Sequence, residues 1–437
     1  MGSAPVKPMT NHLSSRPGAF ARTMLTVCCL ALLTACSSNP QPDPDVATDY
    51  LDRAQTQEKQ GVRVTAAVPS AAESKTLFGR PLYKQGVQPV WLKIENNSDE
   101  LVAFLPVGLD PAYFTPIEAA NLKLKDKPAS RSGSLINNDF FSAGLGNNVA
   151  AHTQNSGFIF SVLDEGTKSF NVDVVSDSSF RTFTFFIRVP GLRIDHQEVD
   201  WLSLYPADEV VDLSSDELIR SIESSICCVV DKKAENMGDP LNLVIIGEPE
   251  DVYYAFIRAG WDETETIYSG SSWKTVKSFV SGGEYRYSPV SALYVFGRGQ
   301  DVAFQKARDN IHERNHLRLW MSPYRYEGKP VWMGQISRDI GVRFTKKTIT
   351  THKIDPDVDE TREYLLENMV YSQALQKLAY VGGVGVAPID QPRGNLTGDP
   401  YFTDGYRLVM WLTSQPVDMH DVEVEYWEIP PDRRELP

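Results

Sequence analysis

From residue 61 onward the chain is written in alternation: "GVRVTAAV", "QPVWLKIENNSD", "SGFIFSVLD", "FNVDVVSD" and "RTFTFFIRVPG" set apolar against polar residues and close on turn formers. That two-residue period is the tightest constraint the sequence imposes. Successive side chains of a strand point to opposite faces, so such a run buries one face, whereas a helix would scatter the same apolar residues around its circumference. Runs of this kind, punctuated by Asn, Asp, Ser and Gly, predict an all-β immunoglobulin-like sandwich over residues 61–213. Within it, "GLDPAYFTPIEAA" carries a helix start, and the polar, Gly- and Asn-rich stretch 122–150 reads as a long loop.

The pattern then changes. Residues 214–239 read as a short helix followed by the linker "DKKAENMGDP", and residues 240–427 as an α+β domain with a mostly antiparallel or mixed sheet. "LNLVIIG" is a continuous apolar run, suited to a strand buried on both faces. "EPEDVYYAFIRAGW" follows with helical spacing, then "SALYVFGR" and an amphipathic "DVAFQKARDNI". Beyond these come the strands "HLRLWM", "VWMGQISRD" and "GVRFT", a long helix "DETREYLLENMVYSQALQKLA", late strands in "YRLVMWLT" and "VEVEYWE", and a tail over 428–437.

The first 60 residues read as an address and a tether. Arg16 and Arg22 precede an apolar run from Met24 to Leu33 that closes on Leu33-Thr34-Ala35-Cys36, the pattern of a lipoprotein signal peptide over residues 1–35. Cys36 is then the expected site of lipidation, and several acyl chains give stable anchoring where one does not. Ser37 favours the outer membrane over the inner, and residues 36–60, polar with early prolines, suit a flexible tether. The formal charge is −14, and the signal segment carries Lys7, Arg16 and Arg22 with no acid, so the mature chain is more acidic still. That argues against a nucleic-acid partner. Beyond Cys36 the cysteines are Cys227 and Cys228; an adjacent pair reads as two small hydrophobes in a buried segment, with a redox role the weaker reading.

"LYVFGRGQDVAFQKARDNIHERNHLRLW", "PVWMGQISRDIGVRF" and "THKIDPDVDETREYL", in that order, resemble the domain at the C-terminus of LssY proteins, over about residues 240–425. That family also occurs joined to membrane segments and to phosphatidic-acid-phosphatase-like domains. The resemblance therefore implies an association with envelope lipids, by analogy alone.

Three histidines, His312, His316 and His352, fall in the centre of the second domain. His312-Glu313-Arg314-Asn315-His316 satisfies the H-E-x-x-H pattern, which binds zinc when both histidines sit one turn apart on a helix. Here helical spacing ends near Ile311 and His316-Leu317-Arg318-Leu319-Trp320 alternates as a strand, so no metal is expected. Asp355, Asp357 and Asp359 begin like a calcium loop, but Glu360 stands where Gly is needed and Leu366 where Glu is needed. Helix capping by Asp355, with Pro356 at the first helical position, explains them better.

If "HLRLW" and "MGQISRD" pair as a hairpin around "SPYRYEGKP", then His316 and Arg318 share a face with Gln335, Ser337 and Asp339. His316 and Asp339 would form an acid–base pair with His352 close by, and Arg318, Gln335 and Ser337 would bind an anionic or hydroxylated ligand. Lys306 and Arg308 would add charge from the preceding helix. An ordinary solvated sheet face is the competing reading. "GRGQD" and "VGGVG" read as turns, since neither is a complete phosphate loop.

The sequence thus predicts a periplasm-facing lipoprotein bound to the membrane through Cys36. Its action is that of a hydrolase or ligand-binding protein for an anionic envelope component, a lipid phosphate or a glycan, with no cofactor. The alternative is a non-catalytic envelope scaffold that binds a protein partner.

Overall fold

The computed structural model describes residues 49–122, 139–192, 194, 199–201, 203–264, 290–307, 314–343 and 351–430. The signal, Cys36, Arg308 and His312 lie outside them.

The first domain is a two-layer sandwich. Its strands are β1 (Gln55–Lys59), β2 (Val62–Ala67), β3 (Val87–Asn96), β4 (Val102–Leu105), β5 (Asn148–Val149), β6 (Thr153–Val162), β7 (Thr167–Val175) and β8 (Phe180–Arg188). They form two antiparallel sheets, β1-β2-β3-β6 and β5-β4-β7-β8. The alternation does what the sequence promises. Val62 and Val64 of β2 and Val90, Leu92 and Ile94 of β3 meet Phe170, Val172, Val174, Phe183 and Phe185 of the other sheet in one core.

One expectation fails at the edge: the tether ends earlier than residue 60. Asp49–Arg53 forms a 3-10 turn, and β1 pairs along its whole length with β2, from Gln55↔Ala66 to Lys59↔Val62. "QTQEK" has no apolar residue to betray a strand; its function there is polar. The side chains of Gln55, Gln57 and Lys59 donate in turn to the carbonyls of Phe186, Thr184 and Thr182 on β8. Side-chain amides and an ammonium thus close the seam between the sheets where no backbone ladder runs.

Among the described residues the second domain holds a ten-stranded mixed sheet, a four-stranded sheet and a two-stranded one. In chain order its strands are β9 (Val211–Leu213), β10 (Cys228–Val230), β11 (Met237–Pro240), β12 (Leu243–Ile246), β13 (Asp262–Glu263), β14 (Tyr294–Val295), β15 (Arg298–Gly299), β16 (Val302–Ala307), β17 (Arg314–Tyr326), β18 (Lys329–Arg343), β19 (Thr351–Ile354), β20 (Leu375–Val381), β21 (Arg393–Gly394), β22 (Pro400–Tyr401), β23 (Arg407–Leu412) and β24 (Glu423–Val424). The main sheet runs β13-β16-β17-β18-β12-β23-β20-β24, with β9 on β17 and β19 on β18. Helices α1 (Pro249–Arg258) and α2 (Val358–Tyr371) cover one face, where Phe256, Leu365 and Met369 pack on Leu243, Phe304, Leu317 and Trp332. A third helix, α3 (Ser215–Glu223), packs with Leu218 and Ile222 on the other face, against Val244, Trp320, Val409 and Trp411. With both faces covered, β12 is buried at all four positions, as "LVII" predicts.

The long hairpin β17–β18 turns at Glu327 and Gly328, whose φ values of 52° and 75° are both left-handed, the requirement of a two-residue turn that matches strand twist. The two domains are joined directly. Thr167 of β7 donates its N–H and hydroxyl to the Glu263 carboxylate at 2.8 and 3.2 Å, and the Phe186 and Tyr254 rings stack with centroids 4.1 Å apart.

Several local expectations are corrected. Val302–Ala307, expected to begin a helix, is strand β16: Val302, Phe304 and Lys306 alternate with Ala303, Gln305 and Ala307, and pairing with β17 decides between the two periods. The long helix stops at Tyr371 instead of running to Ala379; Gln373 takes the left-handed C-terminal position at φ 59°, and β20 follows. The cap of α2 is Asp357, which accepts from Glu360 N–H at 3.1 Å; Asp355 instead accepts from Asp357 N–H. The expected linker 231–240 contains β11, which pairs with β10, and β9 at 211–213 pairs with β17 of the second domain. Cys227 and Cys228 form a disulfide with each other instead of standing as free thiols.

Candidate functional site

Strand register assembles the site. Gln305 of β16, His316 of β17 and Ser337 of β18 lie across from one another, and Ala303, Arg318 and Gln335 form the next row. Residues directly opposite in antiparallel strands share a face. Arg314, two residues before His316, and Asp339, two after Ser337, therefore extend the same face toward the open end of the sheet. The hairpin expectation holds, but the solvated-face reading does not: Gln305, Arg314, His316, Arg318, Gln335, Ser337 and Asp339 are all 7 % exposed or less.

Inside this layer each group is held by its neighbours. Arg318 donates to Gln335 Oε1 at 3.0 Å and to the Ser291 carbonyl at 3.2 Å, and Gln335 donates to the Ser337 hydroxyl at 3.0 Å. Those three side chains, expected to hold a ligand, are hydrogen-bonded in a row and do not line the cleft at the open end of the sheet. His316 Nε2 lies 2.8 Å from Asp339 Oδ2, so the predicted pair meets, and Arg314 Nε sits 3.8 Å from the same oxygen. Arg314 also donates to Gln305 Oε1.

Burial governs the electrostatics. It pushes the His316 pKa well below the ordinary 6.5, and the charges of Arg314 and Arg318 push the same way. Asp339 pulls in the other direction, but one carboxylate does not offset two guanidiniums and the loss of water. The imidazole is therefore neutral at pH 7. Desolvation also lowers Arg314 to about 10 and raises the carboxyl of Asp239, which faces Arg318 from β11. Burying charges costs several kcal/mol per ion, and an apolar face would fold more cheaply, so a buried constellation of this kind marks a functional-site candidate.

At the open end, where β16 stops and β17 begins, the layer meets a cleft of about 300 Å³ whose wall includes Lys306, Arg314, Arg338, Asp339, Asp355 and Tyr364. Its three cations differ in what they have left to give. Lys306 Nζ donates to the Ala259 carbonyl at 2.7 Å and to Asn368 Oδ1 at 2.6 Å. Arg338 donates to Asn315 Oδ1 at 3.1 Å, pairs with Glu360 at 2.8 Å, and lies over the Tyr364 ring at 5.3 Å. Arg314, 5 % exposed, donates to Gln305 and, among the described residues, leaves Nε without an acceptor in hydrogen-bonding geometry. Among the described residues its Nε is the one cationic nitrogen of this wall that is buried without a hydrogen-bond acceptor.

Residues 195–406 match the family model of the LssY C-terminus. The match begins and ends earlier than the 240–425 read from the sequence, and it contains every residue of the cleft. No curated protein matches the chain. The LssY-like domain thus carries the whole candidate site.

Of the predicted site residues, the fold puts Asp339 and Lys306 on the wall of the cleft, Lys306 from a strand, and brings His316 against Asp339 without its lining the cleft. Arg318, Gln335 and Ser337 lie deeper. His352 sits on β19 opposite Val342 in register, and its side chain is outside the described part, as are Arg308 and His312. The H-E-x-x-H geometry fails at its second half, since Arg314, Asn315 and His316 are extended. Sequence reasoning missed Arg314, Arg338, Asp355 and Tyr364 as cleft residues. The signal for Arg314 was available: it shares the alternating face of His316 and Arg318.

Proposed function

We propose that the chain is an envelope lipoprotein, held at the membrane through Cys36, whose LssY-like domain binds a phosphate- or carboxylate-bearing envelope component in the cleft at the end of β16–β18. The observation that carries this reading is Arg314: a guanidinium almost wholly removed from water, its Nε without a hydrogen-bond acceptor among the described residues, on a cleft flanked by two more cations. A guanidinium fork fits an anionic oxygen pair better than any other class of ligand. The −14 charge of the chain keeps nucleic acid an unsuitable partner. The sandwich is read as an immunoglobulin-like module that lies in sequence between the anchor and the LssY-like domain.

Titration calorimetry of the purified protein with inorganic phosphate tests the proposal. Arg314→Gln is expected to weaken binding by about tenfold or more, the worth of a charge-assisted hydrogen bond. Unchanged affinity in that variant would remove the basis of the reading. A hydrolytic extension has one support, Asp339 on the cleft wall with His316 Nε2 at 2.8 Å from its carboxylate. Phosphate release from an aryl phosphate that vanishes in Asp339→Asn would establish it, whereas binding without turnover leaves a binding protein. The membrane anchor predicts that Cys36→Ala releases the protein from the membrane fraction.

A further inference from the structure

The wall that offers Arg314 also carries acid that a simple anion site would avoid. Asp355 follows β19, and its N–H donates to the Arg338 carbonyl at 2.8 Å, which fixes it beside the cationic side of the cleft. One of its oxygens accepts from Asp357 N–H at 3.1 Å, and its carboxylate makes no ion pair among the described residues. The helix does not need it, since Asp357 is the cap. A carboxylate left in this position repels phosphate and attracts a cation.

The cleft's other two cations have partners already: Arg338 has Glu360, and Lys306 has Asn368 and the Ala259 carbonyl. From this juxtaposition, and resting on the anion reading above, we propose that the ligand is a primary aminoalkyl phosphate, with its phosphoryl oxygens on Arg314 and its ammonium on Asp355.

Two details narrow the class. Quaternary ammonium groups are recognised by open aromatic faces. The aromatic ring here, Tyr364, is already faced by Arg338 at 5.3 Å and Lys306 at 5.9 Å. A carboxylate instead rewards an amine with N–H bonds to donate. The volume, about 300 Å³, is at the small end for ligand pockets and suits a headgroup, leaving any acyl chains outside. The chemistry is shared by a free phosphomonoester and by a lipid headgroup.

Calorimetry of the full chain separates these with four probes: inorganic phosphate, O-phosphoethanolamine, O-phosphocholine, and dihexanoyl phosphatidylethanolamine below its micelle concentration. O-phosphoethanolamine is expected to bind about tenfold tighter than phosphate, with O-phosphocholine no better than phosphate. Asp355→Asn should collapse the ratio between O-phosphoethanolamine and phosphate to near one, with circular dichroism confirming that the variant is folded. Binding of the short-chain lipid assigns the site to a headgroup, and its exclusion assigns it to the free ester; either result supports the class. If phosphate binds but O-phosphoethanolamine binds no tighter, or if Asp355→Asn keeps the preference, the aminoalkyl assignment is overturned while the anion site stands. If none of the probes binds, both fall.

Discussion

His316 shows how a residue can be found by sequence and still be misread. Alternation placed it with Asp339, and the strands pair accordingly. What alternation cannot say is what lies on top of a face, so burial, and with it the charge state, was not legible. The consequence is measurable. An imidazole held neutral in the fold gains a proton on unfolding near pH 6.5, so its contribution to stability is complete above that value and is lost as pH falls toward the depressed folded pKa. Urea unfolding from pH 7.5 to 5 should therefore steepen below about pH 6.5, by up to about 1.4 kcal/mol per pH unit for one proton. His316→Asn should remove that component; an unchanged slope in the variant would show that His316 titrates normally. Arg314 was hidden for another reason. It sits inside the H-E-x-x-H stretch, two residues before the "HLRLW" alternation begins, and so falls outside the face drawn from His316 onward.

Among the elements, β16 and the end of α2 mark where local pattern stops deciding. Six residues are too few to separate a two-residue period from a helical one, and only the ladder to β17 settles it. At Tyr371 no Gly announces the stop. Gln373 accepts a left-handed backbone that costs a residue with a Cβ about 1 kcal/mol, so Gln373→Gly should raise the unfolding free energy by about that much in urea titrations. Arg407 of β23 makes the opposite case. Fully buried, it donates to the carbonyls of Leu241, Ile222 and Ile226, pinning the end of α3 to the sheet. Arg407→Met removes the side-chain donor of the Leu241 and Ile226 carbonyls, while the Ile222 carbonyl keeps the Ser225 N–H. The substitution is expected to cost about 2 kcal/mol or more, seen as a lower denaturant midpoint.

At the scale of the whole molecule, both domain types were legible because hydrophobic period fixes layer type. How the domains meet was not, because the meeting depends on single polar contacts. Glu263, 3 % exposed, accepts two hydrogen bonds from Thr167 across the boundary. Glu263→Ala should loosen the docking and split the calorimetric unfolding into two transitions, whereas one unchanged transition would mean that the stacked Phe186 and Tyr254 suffice. The position of β12 has a consequence in time. It is synthesised at Leu243–Ile246, yet it is flanked by β18 and by β23, whose residues 407–412 pair with it in parallel. Four wholly apolar residues must wait, uncovered on one edge, for nearly the rest of the domain to be made. Such non-local closure slows folding and exposes a sticky edge, so a chain ending at residue 406 should aggregate even though every cleft residue is present.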